Sequence, residues 1–316
     1  VLLLTLYESV LAALLVTAGM LVVGVEWKAA LLLGAIAIAT APASTLMVIR
    51  EVDSEGPLTD SLLAIIALNN IYCIIAFSLV GTVIDLSSGL GGSAGLLGTL
   101  SAALYPLVWQ LVGSVALGFL VGLLLARWAA MIKETGETLI LLGGSILFCV
   151  GVARLLDLSP LIASMAVGAT MVNLSQRSQP LFETLSEADP PFYAIFFVLA
   201  GAELDLSLVG SLGLAGFVYL VGRAVGKFLG ARVGARRLGM APVVRRYLGL
   251  TLLAQAGLAV GLTIQAEHRF PDIAPAVVAI VLASVAIYEM FGPISTRWAL
   301  VHSGEARRQL PEELVI

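Results

Sequence analysis

An all-α polytopic membrane fold, with inverted-topology repeats and two crossed discontinuous helices, is what this sequence predicts, and three observations carry the prediction. Apolar residues make up 59% of the 316-residue chain, the mean hydropathy is +1.04, and only 12% of residues are charged. A water-soluble domain carries about a quarter charged residues. Uncharged runs at 29–49, 61–84, 86–126, 158–176 and 247–266 each reach the roughly 20 residues that a bilayer-crossing helix needs. Two of those runs are interrupted in mid-span by weakly hydrophobic stretches, ATAPAST at 39–45 and LLAQAGLAVG at 252–261. Such a pair, in corresponding positions of two halves, is the pattern of a carrier with broken helices at its centre.

Run length and punctuation place the spans at 4–24, 27–49, 61–84, 103–127, 136–153, 159–175, 191–205, 211–235, 245–266 and 275–300. The connection 85–101 is rich in Gly and Ser and holds no basic residue, so it reads as a flexible external loop that divides the chain. The repeat then follows from direction. Span 27–49 runs opposite to 245–266, span 61–84 opposite to 275–300, and span 4–24 opposite to 211–235. Spans 159–175 and 191–205 have counterparts only before Val1, where two or more further helices are expected. The domain reading is therefore a partial first repeat over 1–84, linking and interface helices over 85–158, a second repeat over 159–300, and a cytoplasmic tail over 301–316.

Basic residues orient these spans. With Arg232, Arg236, Arg237, Arg245 and Arg246 on the cytoplasmic side, Arg50, Arg127, Lys133, Arg177, Arg297, Arg307 and Arg308 fall there too. Lys28, Arg154 and Arg269 fall outside, and Arg223 and Lys227 lie within a span. That bias is the positive-inside pattern, with both chain ends cytoplasmic. The net charge of -4 decides nothing beside it.

The chemistry of the centre starts from unpaired backbone. Pro42 removes a donor and Gly257 weakens its helix, and the peptide groups so freed survive in a bilayer only when they line a polar cavity or face each other. Opposed half-helix ends supply partial charges, with Thr40, Ser44, Thr45 and Gln255 as side-chain partners. In the following span, Asn69 and Asn70 are adjacent amides inside an uncharged run, and they must be hydrogen-bonded or face a cavity. Lys227 lies four residues after Arg223, on the same helical face. A lysine at membrane depth marks a functional site by default, because it can exchange a proton; the structural alternative is snorkelling to the surface. Glu8 in the first span and Glu289 in the last are secondary candidates, whereas Glu203 and Asp205 read as interface residues.

These residues carry a resemblance. ATAPASTLMVIREVDSEGPLTDSLLAIIALNN, then FFVLAGAELDL at 196–206, then RAVGK and LLAQAGLAVGL, resemble the monovalent cation/proton antiporter superfamily, sodium/hydrogen exchanger type, along essentially the whole chain. The resemblance implies a core domain carrying the crossed helices and moving against a dimerisation domain, exchange of sodium, lithium or potassium for protons by alternating access, and a homodimer in the cell membrane, the inner membrane if bacterial.

One departure is pronounced. Where members of the family usually hold Asp-Asp or Asn-Asp, this chain holds Asn69 and Asn70. An amide offers a carbonyl oxygen to a cation but releases no proton near neutral pH. Lys227 matches the family's membrane lysine, and its expected partner here is Asn69, without a salt bridge. Three mechanisms follow: exchange with Lys227 as proton carrier and Asn70, Thr40 and backbone carbonyls as cation ligands; an uncoupled or anion-selective carrier with no acid at its centre; or an Asn pair introduced to trap one state. A transport-dead membrane sensor on the same scaffold is the reading from another class.

Other chemistry has little support. Cys73 and Cys149 lie within spans and read as small buried residues, and His268 and His302 have no partner at ligand spacing, so no metal beyond a transported cation is expected. No Ser/His/Asp set and no HExxH points to an enzyme. No cofactor and no nucleic acid is called for, and the short tail argues against a nucleotide-binding regulatory domain.

Overall fold

The computed structural model describes residues 1–87, 95–129, 135–175 and 213–307, together with residues 181, 185, 191, 195 and 198. Among the described residues there are eleven helices and no strand, apart from an isolated bridge between Ser54 and Ala306. They are α1 (Leu2–Val22), α2 (Trp27–Ile36), α3 (Pro42–Glu51), α4 (Pro57–Ser87), α5 (Gly95–Ala129), α6 (Thr135–Leu155), α7 (Pro160–Leu174), α8 (Gly213–Arg237), α9 (Pro242–Thr251), α10 (Gly257–Arg269) and α11 (Ala274–Ser303). Six of them, α1, α4, α5, α6, α8 and α11, contain stretches long and apolar enough to cross a membrane. The protein is an all-α polytopic membrane protein.

Two of the expected spans are each cut in two. Span 27–49 becomes α2 and α3 separated by residues 37–41, and span 245–266 becomes α9 and α10 separated by 252–256. Pro42 and Gly257 each open the half-helix that follows. Proline suits that place, where its missing N–H would have had no partner.

The chain divides into two compact units, one of Val1–Ile84 with Ala200–Ile316, the other of Asp85–Leu199. Compactness is a relation of contact and a repeat is one of symmetry, so these units do not coincide with the repeat boundaries read from the sequence.

The first unit has two apolar cores. One gathers Val16, Met20, Leu32, Leu33, Ile36, Phe77, Leu262 and Val281, thus α2 with α10. The other gathers Val48, Leu58, Leu62, Leu248, Leu252 and Leu300, thus α3 with α9. Each break separates a half-helix in one core from a half-helix in the other. That partition is the signature of crossing, and the Ala41 amide donates to the Ala254 carbonyl at 3.0 Å, break to break. Helix α4 is capped from the end of the chain: the Glu305 carboxylate accepts from the Leu58 and Thr59 amides at 2.7 and 2.8 Å and from the Thr59 hydroxyl at 2.8 Å.

In the second unit α5 packs closely on α7, where a Cβ at Gly118 would strike the Ala163 carbonyl. Ser159 caps α7 by accepting from the Ile162 amide at 3.4 Å, and its own amide donates to the Ser114 hydroxyl at 2.9 Å. The loop expected over 85–101 is shorter than read. Helix α4 runs to Ser87 and α5 begins at Gly95, because Leu96, Leu97 and Leu100 keep that stretch apolar and a helix satisfies its own backbone. Of the span expected at 191–205 only residues 191, 195 and 198 are described, and Glu203, Asp205 and the tail beyond residue 307 lie outside the described residues.

Candidate functional site

The two breaks leave carbonyls without helical partners, and five side chains donate to eight of them. Arg223 is wholly buried. It donates through Nε to Ala37 O at 3.0 Å, through Nη2 to Ala39 O at 2.6 Å and Ala254 O at 3.3 Å, and through Nη1 to Leu253 O at 2.6 Å. Its Cζ also lies 4.4 Å from the centroid of the Tyr288 ring. Lys227, one turn on, donates to Ile38 O at 2.6 Å and to Thr40 Oγ1 at 3.0 Å. Gln255 donates to Ile36 O and to the Tyr219 hydroxyl, each at 3.1 Å. Ser295 and Thr296 on α11 donate to Leu250 O and Thr251 O at the end of α9. Two cationic side chains thus sit at the C-terminal ends of α2 and α9, where the helix dipoles are negative.

Lys227 does not snorkel. It is wholly buried and forms an ion pair with Glu8, also wholly buried. This corrects the expectation that Asn69 would stand opposite Lys227 without a salt bridge. It also corrects the picture of a centre without acid. The reason is the α1–α8 contact: a Cβ at Gly226 would lie 2.5 Å from Ala12 Cα, and one at Gly230 would lie 2.6 Å from Glu8 Cα. The glycines at 222, 226, 230 and 234 recur every fourth residue, so they form one stripe along α8. Small residues at that spacing let two helices approach backbone to backbone. That spacing was the signal in the sequence that could have found Glu8.

Asn69 joins the same cluster. Its Nδ2 donates to Thr40 Oγ1 at 3.0 Å, and its Oδ1 accepts from Ser9 Oγ at 3.2 Å. Ser9 Oγ also lies 3.2 Å from Glu8 Oε2. Five side chains therefore close a ring, Glu8, Ser9, Asn69, Thr40 and Lys227. Asn70 is buried beside it in sequence, with Oδ1 lacking a hydrogen-bond partner among the described residues, and so is the Ser44 hydroxyl at the start of α3. Gln255 Oε1 is likewise unpartnered. Pro42 and Gly257 contribute no polar side chain; they start α3 and α10, whose N-caps Ala41 and Ala256 have no side-chain cap.

Glu289 is not part of the ring. It lies midway along α11, with both carboxylate oxygens buried and without a hydrogen-bond partner among the described residues. Cys73 and Cys149 are free and buried, and Cys73 Sγ contacts Ala35 O at 3.3 Å. Among the described residues no group of three or more His, Cys, Asp or Glu side chains gathers as a metal site.

Such a centre holds a buried ammonium among hydroxyl, amide and carbonyl oxygens, with one carboxylate against it. Oxygen groups of that kind are those a hard cation takes as ligands. Compared with known protein families, residues 1–302 match the family model described as sodium/hydrogen exchanger, transmembrane. No curated protein matches the chain.

Proposed function

Because the chain belongs to the sodium/hydrogen exchanger family, we propose that it exchanges one monovalent cation, sodium, lithium or potassium, for protons by alternating access, with the crossing of the broken helices as its site. One observation carries this reading: Lys227, wholly buried, points its ammonium at the unwound stretch, onto Ile38 O and Thr40 Oγ1.

An ammonium ion and an alkali cation are both monovalent, and both are held by oxygen. When both use the same oxygens, binding of one opposes binding of the other, and that opposition couples their movements. Lys227 is the proton carrier in this reading, since Asn69 and Asn70 cannot release a proton near neutral pH. Thr40, Asn70, Ser44 and Gln255 offer oxygen to the cation. Pro42 and Gly257 start the half-helices that leave those groups exposed to one another.

The wider assignment follows the same line. The unit of Val1–Ile84 with Ala200–Ile316 carries the ion, and the two inverted repeats are the partial one over 1–84 and the second over 159–300. The protein works as a homodimer in the cell membrane with both chain ends cytoplasmic. The pairing of the segment after α11 with the α3–α4 turn, through Glu305 and the Ser54–Ala306 bridge, supports putting those two segments on one side. An anion-selective carrier loses its premise, because Glu8 sets a carboxylate beside Lys227.

The test is reconstitution in proteoliposomes with an imposed pH gradient. Addition of sodium, lithium or potassium is expected to change internal pH at a rate that saturates with cation. A flux that needs no second gradient would replace exchange with facilitated passage, and no flux of any ion would leave a sensor.

A further inference from the structure

We propose that Glu8 is the anionic ligand of the transported cation, and that the cation and the Lys227 ammonium are alternative partners of its carboxylate. The inference rests on the exchange reading for the cargo, and it adds the group that gives a cation reason to enter.

The argument is one of charge. Arg223 and Lys227 bring two buried cationic side chains to the crossing, and α4 brings only amides, Asn69 and Asn70. A further cation moved there from water would lose its hydration and meet positive charge, a cost that neutral oxygens do not offset. Among the described residues, Glu8 is the carboxylate in contact with this cluster. It is wholly buried, pairs with Lys227, and connects through Ser9 to Asn69 and through Asn69 to Thr40. A cation at Glu8 would therefore have Ser9 Oγ, Asn69 Oδ1 and Thr40 Oγ1 within the same ring.

The ring also has a way to let Lys227 step aside. When the carboxylate is taken by a cation and Lys227 gives up its proton, the neutral amine still has N–H donors for Ile38 O and Thr40 Oγ1. Arg223 has no such freedom, being committed to four break carbonyls. Spare oxygen exists as well, at Asn70 Oδ1 and Ser44 Oγ, both buried and unpartnered among the described residues.

The experiment reads binding apart from transport. The full chain is purified in detergent and its melting temperature followed against sodium, lithium or potassium chloride at constant ionic strength made up with choline chloride. The parent is expected to gain about 3 °C or more at saturation, and Glu8→Gln to lose that gain. Retention of the full gain in Glu8→Gln would overturn the proposal, while leaving proton exchange itself to be judged from the liposome flux. Absence of flux in the parent would instead remove the exchange reading, with the melting series still deciding whether Glu8 binds cation. Should Glu8→Gln not fold, two further variants decide. Glu8→Asp keeps the charge on a shorter arm and is expected to shift the half-saturating cation concentration by about threefold or more; no shift would overturn the proposal. Glu8→Gln with Asn69→Asp returns a carboxylate to the same ring and is expected to recover cation stabilisation, and failure to recover it in a folded double variant would count against the ring as the site.

Discussion

Gly230 on α8 lies against Glu8 on α1 so closely that a Cβ on the glycine would sit 2.6 Å from the Glu8 Cα. The contact is what brings a carboxylate from α1 to Lys227, 219 positions further along the chain. At this approach no side chain at position 230 fits between the two backbones.

Substitution of Gly230 by leucine should therefore part the two helices. Overpacking of this sort costs about 1–3 kcal/mol, and here the pair Glu8–Lys227 is lost with it. The expected result is a lower melting temperature in detergent together with loss of cation-dependent pH change in liposomes. Wild-type exchange in Gly230→Leu would show that the close approach is not required.

Lys227→Arg separates charge from proton release. Arginine stays protonated under all working conditions, so the variant keeps a counterion for Glu8. It should remain folded, and its cation-dependent proton flux should fall about tenfold or more. Wild-type flux with an unchanged pH profile would rule out Lys227 as the carrier.

Arg223 has a different task. Its removal leaves carbonyls of Ala37, Ala39, Leu253 and Ala254 short of donors, and each buried unsatisfied group costs about 1–3 kcal/mol. Arg223→Gln is expected to lower the melting temperature far more than Arg223→Lys, which retains the charge but cannot span both breaks. Equal stability of parent and Arg223→Gln would show that the breaks are held by other means.

Glu305→Ala tests the cap on α4. Loss of a capping side chain costs about 0.5–2 kcal/mol. Hydrogen exchange at the Leu58 and Thr59 amides should accelerate in the variant, with little change in the middle of α4. Unchanged exchange at those two amides would contradict the cap.

Much of this was legible in the chain. The ends of the spans follow from apolar run length, and the breaks from Pro42 and Gly257, since both are properties of residues close in sequence. Thr40, Asn69 and Gln255 stand out in the sequence because a polar side chain inside an uncharged run must find a partner, Lys227 because a lysine at membrane depth must too, and the structure sets all four at the crossing. Arg223 is read only as a neighbour of Lys227, for nothing local reveals that carbonyls from two breaks converge on it. Glu8 is ranked second because its distance along the chain from Lys227 hides their contact. The loop at 85–101 is overdrawn, as Gly and Ser signal a turn in water more strongly than in an apolar setting.

By itself, then, the sequence determined a membrane-spanning helical protein with two mid-span breaks and a lysine at depth, because run length, proline and charge act locally. Only the tertiary structure decided that Glu8 meets Lys227 and that Arg223 clasps both breaks. Helical periodicity assigns a residue to a face, but which other helix that face meets depends on packing of segments far apart in the chain, here set by the glycine stripe of α8 against α1.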